Sequence, residues 1–204
     1  MTNRKQLYII GAGGHAKVIV RASELLGYTV AGIFDDAVGK QGQLVAGIPV
    51  LGNCEDLVGR PALPTVIGIG DNATRKRLSE SLDLDWATIV HPAATVDKSA
   101  QVHPGSIVMA GSVIQADTTV GDHCIINSGA TVDHDCRLDG FCHIAPGVNI
   151  AGHCQLAEGV LVGIGANMIP SIRVGSWTTI GAGATVVQDL PAAVIANGVP
   201  AKIR

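Results

Sequence analysis

Aromatic side chains are scarce in this chain of 204 residues. It has two each of Trp, Tyr and Phe, or 3% of the sequence, whereas glycine alone contributes 26 residues. A core without aromatic rings has to be filled by small aliphatic side chains stacked in regular layers. The composition therefore favours a repetitive architecture over an irregular globule.

Excess charge of one sign and long apolar runs are also missing. The formal net charge is -3 and the pI is about 6.1, so there is no basic footprint and we expect no nucleic-acid partner. The apolar run "LYII" near the N-terminus is broken by glycines and is too short for a signal sequence or a membrane span. The sequence predicts a soluble cytoplasmic protein with no membrane insertion.

Cysteines and histidines lack the spacings of common metal sites. The five cysteines show no C-x-x-C pair, and their odd number argues against a disulfide scaffold. No two histidines are separated as in H-x-H or H-x-x-H. We therefore expect no metal.

The sequence does contain a strict period of six. Every sixth residue from Val96 to Val186 is aliphatic or Met, and the residue two places before each is nearly always small. Four of the five cysteines occupy the small register, which favours a role as core filler. Three hexapeptides form one coil of 18 residues, so the repeat predicts a parallel β-helix of about five coils.

The segment before the repeat is typical of a nucleotide-binding βαβ unit. It predicts a strand, a glycine turn "GAGGHAK", a helix and a second strand that ends at Asp35 and Asp36. "IGDN", which contains Gly70 and Asn72, follows another strand and begins another helix. About 90 residues suffice for half a Rossmann sheet and one nucleotide. A phosphate is expected at the glycine turn, although the two aspartates could instead only cap the following loop.

The stretch "TVDHDC" places His134 two residues after the inward-facing Val132. Its neighbours one coil away in either direction, Ala116 and Gly152, are small and leave room for a substrate. A histidine can accept a proton near neutral pH, and Asp135 could orient its ring. A solvated surface histidine is the alternative that these residues leave open.

"GAGGHAK", "FDD", "IGDN", the hexapeptides with "VDHDC" and the terminal "GVPAK" together resemble sialic acid O-acetyltransferase-like hexapeptide acyltransferases. The resemblance is strongest to N-acetyltransferases of nucleotide-linked 4-amino-4,6-dideoxy sugars, of the bacillosamine and perosamine type. It implies an α/β half-Rossmann domain in residues 1–88 and a left-handed parallel β-helix with a C-terminal tail in residues 89–204. It also implies acetyl transfer from acetyl-CoA to a sugar amine, and a homotrimer with active sites between solenoids.

The resemblance also implies roles for individual residues. His134 would be the general base and Asp135 its partner, although some relatives carry Glu at that second position. The positions implied for the nucleotide-linked sugar are Gly13, Gly14, His15, Asp35, Asp36, Gly70 and Asn72. Those implied for acetyl-CoA are His143, Ile164, Ala182 and Lys202. For His15 the alternative is a histidine that only begins a helix, for His143 it is a surface position on a strand, and for Lys202 it is a frayed tail. His91, His103, His123 and His153 are expected to be surface histidines, with His153 one coil from Asp135.

Three other functions remain open at this stage. The first is O-acetylation of sialic acid or a related sugar, and the second is a non-enzymatic sensor of nucleotide sugars. The third is a nicotinamide enzyme, which would require a larger nucleotide domain than this chain contains. The sequence does not distinguish UDP, GDP and dTDP sugars.

Overall fold

The computed structural model describes residues 5–204, which divide into two compact units. The first unit ends at Pro92, and the second extends from Ala93 to Arg204. The sequence placed this boundary a few residues earlier, between residues 88 and 89. None of the helices formed by the described residues has the length and hydropathy needed to cross a bilayer.

The first unit contains a five-stranded sheet in the order β3-β4-β2-β1-β5, parallel except for the antiparallel β3–β4 pair. Its strands are β1 (Gln6–Ile10), β2 (Thr29–Phe34), β3 (Leu44–Val45), β4 (Ile48–Gly52) and β5 (Thr65–Ile67). Its helices are α1 (Gly14–Leu25), a 3-10 helix (Cys54–Gly59) and α2 (Asn72–Ser81). A further short strand, β6 (Ile89–Val90), follows α2 along the chain.

The carboxyl ends of β2, β1 and β5 lie side by side. Ile10 pairs with Phe34 on one side and with Ile67 on the other, so the loops that follow these strands emerge at one edge. At Gly11 the backbone has a φ of +101°, and a Cβ there would lie 2.6 Å from Cγ1 of Ile69. The glycine turn and the β5–α2 loop therefore approach each other closely, which only glycine permits.

The second unit is built from two-residue strands that alternate with turns. The strands are β7 (Thr95–Val96), β8 (Gln101–Val102), β9 (Ile107–Val108), β10 (Val113–Ile114), β11 (Thr119–Val120), β12 (Ile125–Ile126), β13 (Thr131–Val132), β14 (Arg137–Leu138), β15 (His143–Ile144), β16 (Asn149–Ile150), β17 (Gln155–Leu156), β18 (Leu161–Val162), β19 (Asn167–Met168), β20 (Arg173–Val174), β21 (Thr179–Ile180), β22 (Thr185–Val186), β23 (Ile195–Asn197) and β24 (Lys202–Ile203).

These strands form three sheets, and each complete coil contributes one strand to each, while β24 adds an antiparallel strand beside β23. Sheet 1 contains β7, β10, β13, β16, β19 and β22; sheet 2 contains β8, β11, β14, β17 and β20. Within this unit, sheet 3 contains β9, β12, β15, β18, β21, β23 and β24. Residues one coil apart pair in parallel register, as Val132 does with Ile150. The predicted fold class, an α/β domain followed by a parallel β-helix of hexapeptide repeats, is confirmed.

The aliphatic positions and the small positions of the six-residue repeat both lie in the interior of the coils. Val132, Ile144 and Ile150 are at most 1% exposed, and Cys124, Cys136, Cys142 and Cys154 are also buried. Each of these four thiols donates to a carbonyl oxygen 15 residues further along the chain. These cysteines fill the core, because each packs as a small side chain and satisfies its weak donor.

The turns between sheets 1 and 2 form a column of left-handed residues. Asp117, Asp135, His153 and Ser171 occupy the same position in successive coils and have φ between +56° and +65°. Aspartate and histidine adopt this conformation more readily than most residues. Since every coil repeats the turn, the side chains at this position lie one above another along one edge of the solenoid.

Candidate active site

His134 lies in the turn between β13 and β14, and its side chain is about half exposed. Its Nδ1 is 2.7 Å from Oδ2 of Asp135, a hydrogen bond of charge-assisted length. Its main-chain N–H donates to Oδ1 of Asp133 at 2.8 Å. The left-handed Asp135 and the acceptor Asp133 therefore flank the histidine on both sides.

The imidazole of His134 rests against the backbone of the next coil. A Cβ at Gly152 would lie 2.7 Å from Cε1 and 2.8 Å from Nε2 of His134. The space over Gly152, which the sequence predicts to admit a substrate, is occupied by the imidazole itself. Any side chain at this position would displace the ring.

The surroundings of His134 favour its protonated form. The hydrogen bond to Asp135 is the main cause that raises the pKa of His134, and the charges of Asp133 and Asp135 add to it, against a smaller opposing effect of desolvation. When Asp135 is ionised it can only accept, so Nδ1 carries the proton of the neutral ring. Nε2 then holds the free lone pair, as a general base requires.

His153 lies one coil beyond Asp135 in the same column of turns. Its Nε2 is 3.8 Å from Oδ2 of Asp135, which is longer than a hydrogen bond. Its ring is perpendicular to that of His134, with 5.1 Å between the centroids. One edge of the solenoid therefore carries two imidazoles and a carboxylate.

The residues expected to contact acetyl-CoA lie on sheet 3 or in the turns that follow it. His143 is on β15, Ile164 follows β18 and is 62% exposed, and Ala182 follows β21. Lys202 belongs to β24, which pairs antiparallel with β23. Its backbone is therefore part of a sheet and not of a frayed tail.

Asn127 orients the ring of His143, a contact that the sequence reasoning missed. Its Nδ2 is 3.2 Å from Nε2 of His143, while its Oδ1 accepts the N–H of Ser128 at 2.8 Å. The amide nitrogen therefore faces the imidazole, and Nε2 of His143 is the acceptor. The spacing of Asn127 and His143 is not a whole coil, so the repeat did not mark them as neighbours.

The structure does not bring His134 together with the acetyl-CoA positions within one chain. His134 follows sheet 1, whereas Ile164 and Ala182 precede the strands of that sheet. Pro170 occupies the same position as His134 two coils further along. From Ile164 to Pro170 the chain crosses sheet 1 in six residues, which corresponds to about 20 Å of extended chain. The two groups thus lie along different edges of the solenoid.

A groove of about 540 Å³ lies on sheet 1 between these two edges. Asp133 borders it beside His134, and a polar ladder crosses it. In the ladder, Thr131 donates to Oδ1 of Asn149, and Nδ2 of Asn149 donates to Oδ1 of Asn167, both at 3.0 Å. A larger groove of about 580 Å³ lies on sheet 2, beside Arg137 and Arg173 and away from the predicted site residues.

In the first unit, the glycine turn leaves open space at the beginning of α1. A Cβ at Gly13 or Gly14 would meet no atom within 4 Å, and no side chain caps this helix. His15 is half-buried in the first helical turn. Backbone N–H groups at a helix N-terminus attract anions, so the turn has the geometry of a phosphate site.

The two aspartates after β2 bind backbone N–H groups of their own unit. Asp35 accepts from Ala12 at 2.6 Å and from Ala37 at 2.8 Å, and Asp36 accepts from Cys54 at 2.8 Å. Of these contacts, the one between Asp35 and Ala37 caps the following loop, as the alternative interpretation predicts. The carboxylate of Asp35 also ties the glycine turn to the end of β2.

The loop after β5 is held by a buried arginine that the sequence reasoning missed. Arg75 is 1% exposed and donates to the carbonyls of Ile69 and Gly70 at 3.1 and 2.9 Å. It also donates to Oδ1 of Asn72 at 2.9 Å. Asn72 is only 8% exposed, and its side-chain oxygen is engaged by this contact within the loop.

Lys40 is a third residue, after Asn127 and Arg75, that the sequence does not mark. Its Nζ donates to the carbonyl of Ala12 at 3.3 Å, which places a cation beside the glycine turn. No local motif marks this lysine, because it follows β2 in a loop and reaches the turn only through the fold.

Two family models match this chain. Residues 6–82 match the PglD N-terminal domain, and residues 99–134 match the bacterial transferase hexapeptide family. A histidine mutant of perosamine N-acetyltransferase from Caulobacter crescentus, in complex with CoA and GDP-perosamine, is 40% identical. Its TM-score is 0.93, over 98% of this chain and 96% of that one. The acetyltransferase domain of PglB from Neisseria gonorrhoeae FA1090 is 38% identical over 98% and 100% of the two chains, with a TM-score of 0.91.

Two curated proteins match over shorter segments. UDP-N-acetylbacillosamine N-acetyltransferase of Bacillus subtilis (strain 168) is 38% identical over 116 residues, which are 52% of each protein. An uncharacterised protein of Acanthamoeba polyphaga mimivirus is 34% identical over 117 residues, or 57% of this chain and 24% of that protein. The matched segments therefore span about half and about a quarter of these curated relatives.

Proposed function

The chain belongs to the hexapeptide acyltransferases of the perosamine and bacillosamine N-acetyltransferase type, and from this premise we propose its reaction. It transfers the acetyl group of acetyl-CoA to the 4-amino group of a nucleotide-linked 4-amino-4,6-dideoxy sugar. Two relatives, the perosamine and the UDP-N-acetylbacillosamine enzymes, are named as N-acetyltransferases, and this supports N-acetylation over O-acetylation. UDP, GDP and dTDP sugars all remain candidates for the substrate.

The hydrogen-bonded His134–Asp135 pair is the observation that carries this proposal. A 2.7 Å contact fixes the tautomer of the ring, and Gly152 allows the ring to lie against the next coil. An ordinary surface histidine needs neither a carboxylate partner nor a side-chain gap beneath it. Together these features keep Nε2 as the proton acceptor.

The proposed chemistry begins with loss of a proton from the sugar ammonium to Nε2 of His134. The amine lone pair then attacks the thioester carbonyl and forms a C–N bond, and a backbone N–H stabilises the oxyanion. Collapse of the tetrahedral intermediate breaks the C–S bond, the attacking nitrogen gives up its second proton to the leaving sulfur so that CoA departs as the thiol, and His134 returns the first proton to solvent. Asp135 stabilises the imidazolium that exists between these steps.

The first unit is proposed to bind the nucleotide part of the sugar substrate. Gly13, Gly14 and His15 present the N-terminus of α1 to the diphosphate, and Lys40 adds a cation beside them. The loops of Asp35 and Asp36, and of Gly70 and Asn72, flank this turn at the same edge of the sheet. Open α/β sheets bind their ligands at this edge.

We further propose that acetyl-CoA binds along His143, Ile164, Ala182 and Lys202, and that the enzyme is a homotrimer. The support is the separation of these residues from His134 across sheet 1 of one chain. A neighbouring copy that packs beside that edge would bring its own His134 to the thioester. The five free cysteines fit a reducing compartment, so we place the reaction in the cytoplasm.

The test is release of CoA from acetyl-CoA with a panel of UDP-, GDP- and dTDP-linked 4-amino sugars. The wild type should turn over one of them, and His134→Ala should lower kcat by about a hundredfold or more, as loss of a general base does. Asp135→Ala should cause a smaller loss, because the base would remain without its orienting partner.

His103→Ala is the matched control. His103 is another solenoid histidine, half-exposed and 3.9 Å from Asp122, and its replacement should leave wild-type activity. Full activity of His134→Ala would overturn the assignment of the base. Turnover with no amine, together with binding of a nucleotide sugar, would favour O-acetylation or a sensor.

A further inference from the structure

The column of turns that carries His134 also gathers a set of metal-ligating atoms. His134, Asp135 and His153 each place one ligand atom within 4.8 Å of the other two. The solenoid produces this set, since Asp135 and His153 are one coil apart and both adopt the left-handed turn conformation. The short spacings used to find metal sites in a sequence do not detect this set, because its ligands come from two successive coils.

The donor set has the chemistry of a zinc-class site. Two imidazole nitrogens and one carboxylate oxygen are typical ligands of Zn²⁺, and a tetrahedral ion with bonds near 2.1 Å separates its ligands by about 3.4 Å. Nδ1 of His134 is 2.7 Å and Nε2 of His153 is 3.8 Å from Oδ2 of Asp135, and these distances lie on either side of that value. All three side chains are exposed, so small rotations could close the set around an ion.

The charge around the cluster also favours a cation. Asp133 accepts the main-chain N–H of His134 at 2.8 Å, so it adds a second carboxylate beside the three ligands. A water molecule can complete the fourth position on the exposed side.

We propose that His134, Asp135 and His153 form a binding site for Zn²⁺ or a similar divalent transition metal, and that this metal inhibits the enzyme. The ion would bind Nδ1 of His134, which faces Asp135, and the ring would then keep its proton on Nε2, so that Nε2 could no longer accept a proton from the acceptor amine. The site itself depends only on the three side chains, whereas the inhibition rests on the proposed function of His134 as general base. The metal is therefore an inhibitor and has no part in the acetyl transfer.

The first experiment titrates the metal-free protein with Co²⁺ and follows the visible absorption of the ion in the absence of CoA. Absorption typical of tetrahedral Co²⁺, displaced by Zn²⁺, is expected for the wild type. His153→Ala should weaken binding by at least about tenfold, because one ligand is lost. His103→Ala, which removes an exposed histidine outside the cluster, should bind as the wild type does.

The second experiment measures the acetylated sugar directly, because free CoA would itself bind Zn²⁺. Zinc should inhibit the wild type and His103→Ala, should inhibit His153→Ala at least about tenfold less well, and should be reversed by a chelator. Absence of the tetrahedral spectrum, or equal binding by His153→Ala, would overturn the metal site. Binding that leaves turnover unchanged would keep the site and count against His134 as the base.

Discussion

At the scale of single residues, the candidate site depends on one missing side chain as much as on those present. His134 can lie against the next coil and face Asp135 only because Gly152 offers no Cβ. The φ of Gly152 is not in the left-handed region, so its backbone conformation tolerates other residues. A substitution there changes the position of the ring without straining the chain.

We therefore expect Gly152→Ala to lower kcat by about tenfold or more while the protein stays folded, since a displaced base loses part of its proton-transfer advantage. The measurement is kcat together with Tm. Gly140→Ala is the control, because a Cβ there would meet its nearest atom, the carbonyl oxygen of Asp122, at 3.4 Å, close to an ordinary contact. Unchanged kcat in Gly152→Ala would show that the ring position is not critical.

The pH dependence of the reaction should reflect the raised pKa of His134. The base has to be unprotonated, so the rate should rise with pH through a pKa above the ordinary value for histidine. In Asp135→Asn the main cause of the shift is lost, so the rising limb should move to lower pH, while the maximal rate falls because the ring is no longer oriented. A pH profile of kcat/KM for both proteins measures this, and a limb that stays in place would exclude the Asp135 hydrogen bond as its cause.

At the scale of elements, the β5–α2 loop shows how one buried side chain shapes a binding edge. The guanidinium of Arg75 holds two loop carbonyls and the side chain of Asn72. Asp71 caps the helix by accepting the N–H of Thr74 at 2.8 Å, and hydrogen bonds from Thr74 are the main cause that lowers the pKa of Asp71. The loop is therefore fixed from both sides before a ligand arrives.

Arg75→Lys should raise KM for the nucleotide sugar several-fold and leave KM for acetyl-CoA unchanged. The ammonium cannot reproduce the fork of a guanidinium, so the loop would lose part of its support. Arg77→Lys, at an exposed position of the same helix, is the matched control. Steady-state kinetics with each substrate varied in turn will test this, and equal changes in both KM values would point to a general loss of structure.

Substitutions at adjacent positions of a solenoid strand should differ strongly in how much they lower the free energy of unfolding. On β17, Leu156 is 1% exposed in the core, while its neighbour Gln155 faces solvent. Leu156→Ala should cost about 2–5 kcal/mol of unfolding free energy through lost contacts and a residual cavity. Gln155→Ala should change it by less than about 0.5 kcal/mol. Urea unfolding measures both, and equal costs would contradict the inward register.

At the scale of the whole molecule, the separation of the two edges predicts a shared active site. If His134 of one subunit serves acetyl-CoA held by another, two inactive variants should complement each other. His134→Ala lacks the proposed base, and Ala182→Trp puts an indole at the exposed acetyl-CoA position. Each variant should be inactive alone. Equal co-expression should restore about a quarter of the wild-type activity per site in mixed cyclic trimers.

A native mass of three times the 20.9 kDa chain should accompany that activity in light scattering. Both outcomes follow from closed cyclic symmetry, in which each interface pairs two different edges of neighbouring subunits. No recovery in the mixture, despite a trimeric mass, would place the whole site within a single chain.

The sequence by itself determined the fold. The period of six from Val96 to Val186 fixed the strands, the inward register and the stacking of residues one coil apart, because a strict repeat has only one regular way to bury its aliphatic positions. The glycine turn and the strand ends of the first unit were likewise predictable, since they depend on local backbone preferences. Even the neighbourhood of His134 and Gly152 followed from counting one coil.

Only the tertiary structure decided how the side chains use that framework. It showed the ring of His134 filling the space over Gly152, and Arg75 buried behind the loop of Gly70 and Asn72. It also joined Asn127 to His143 across a spacing that the repeat does not predict. A period fixes where backbones stack, whereas a hydrogen bond depends on rotamers and distances within about an ångström, and those are set by the packing of all neighbours at once.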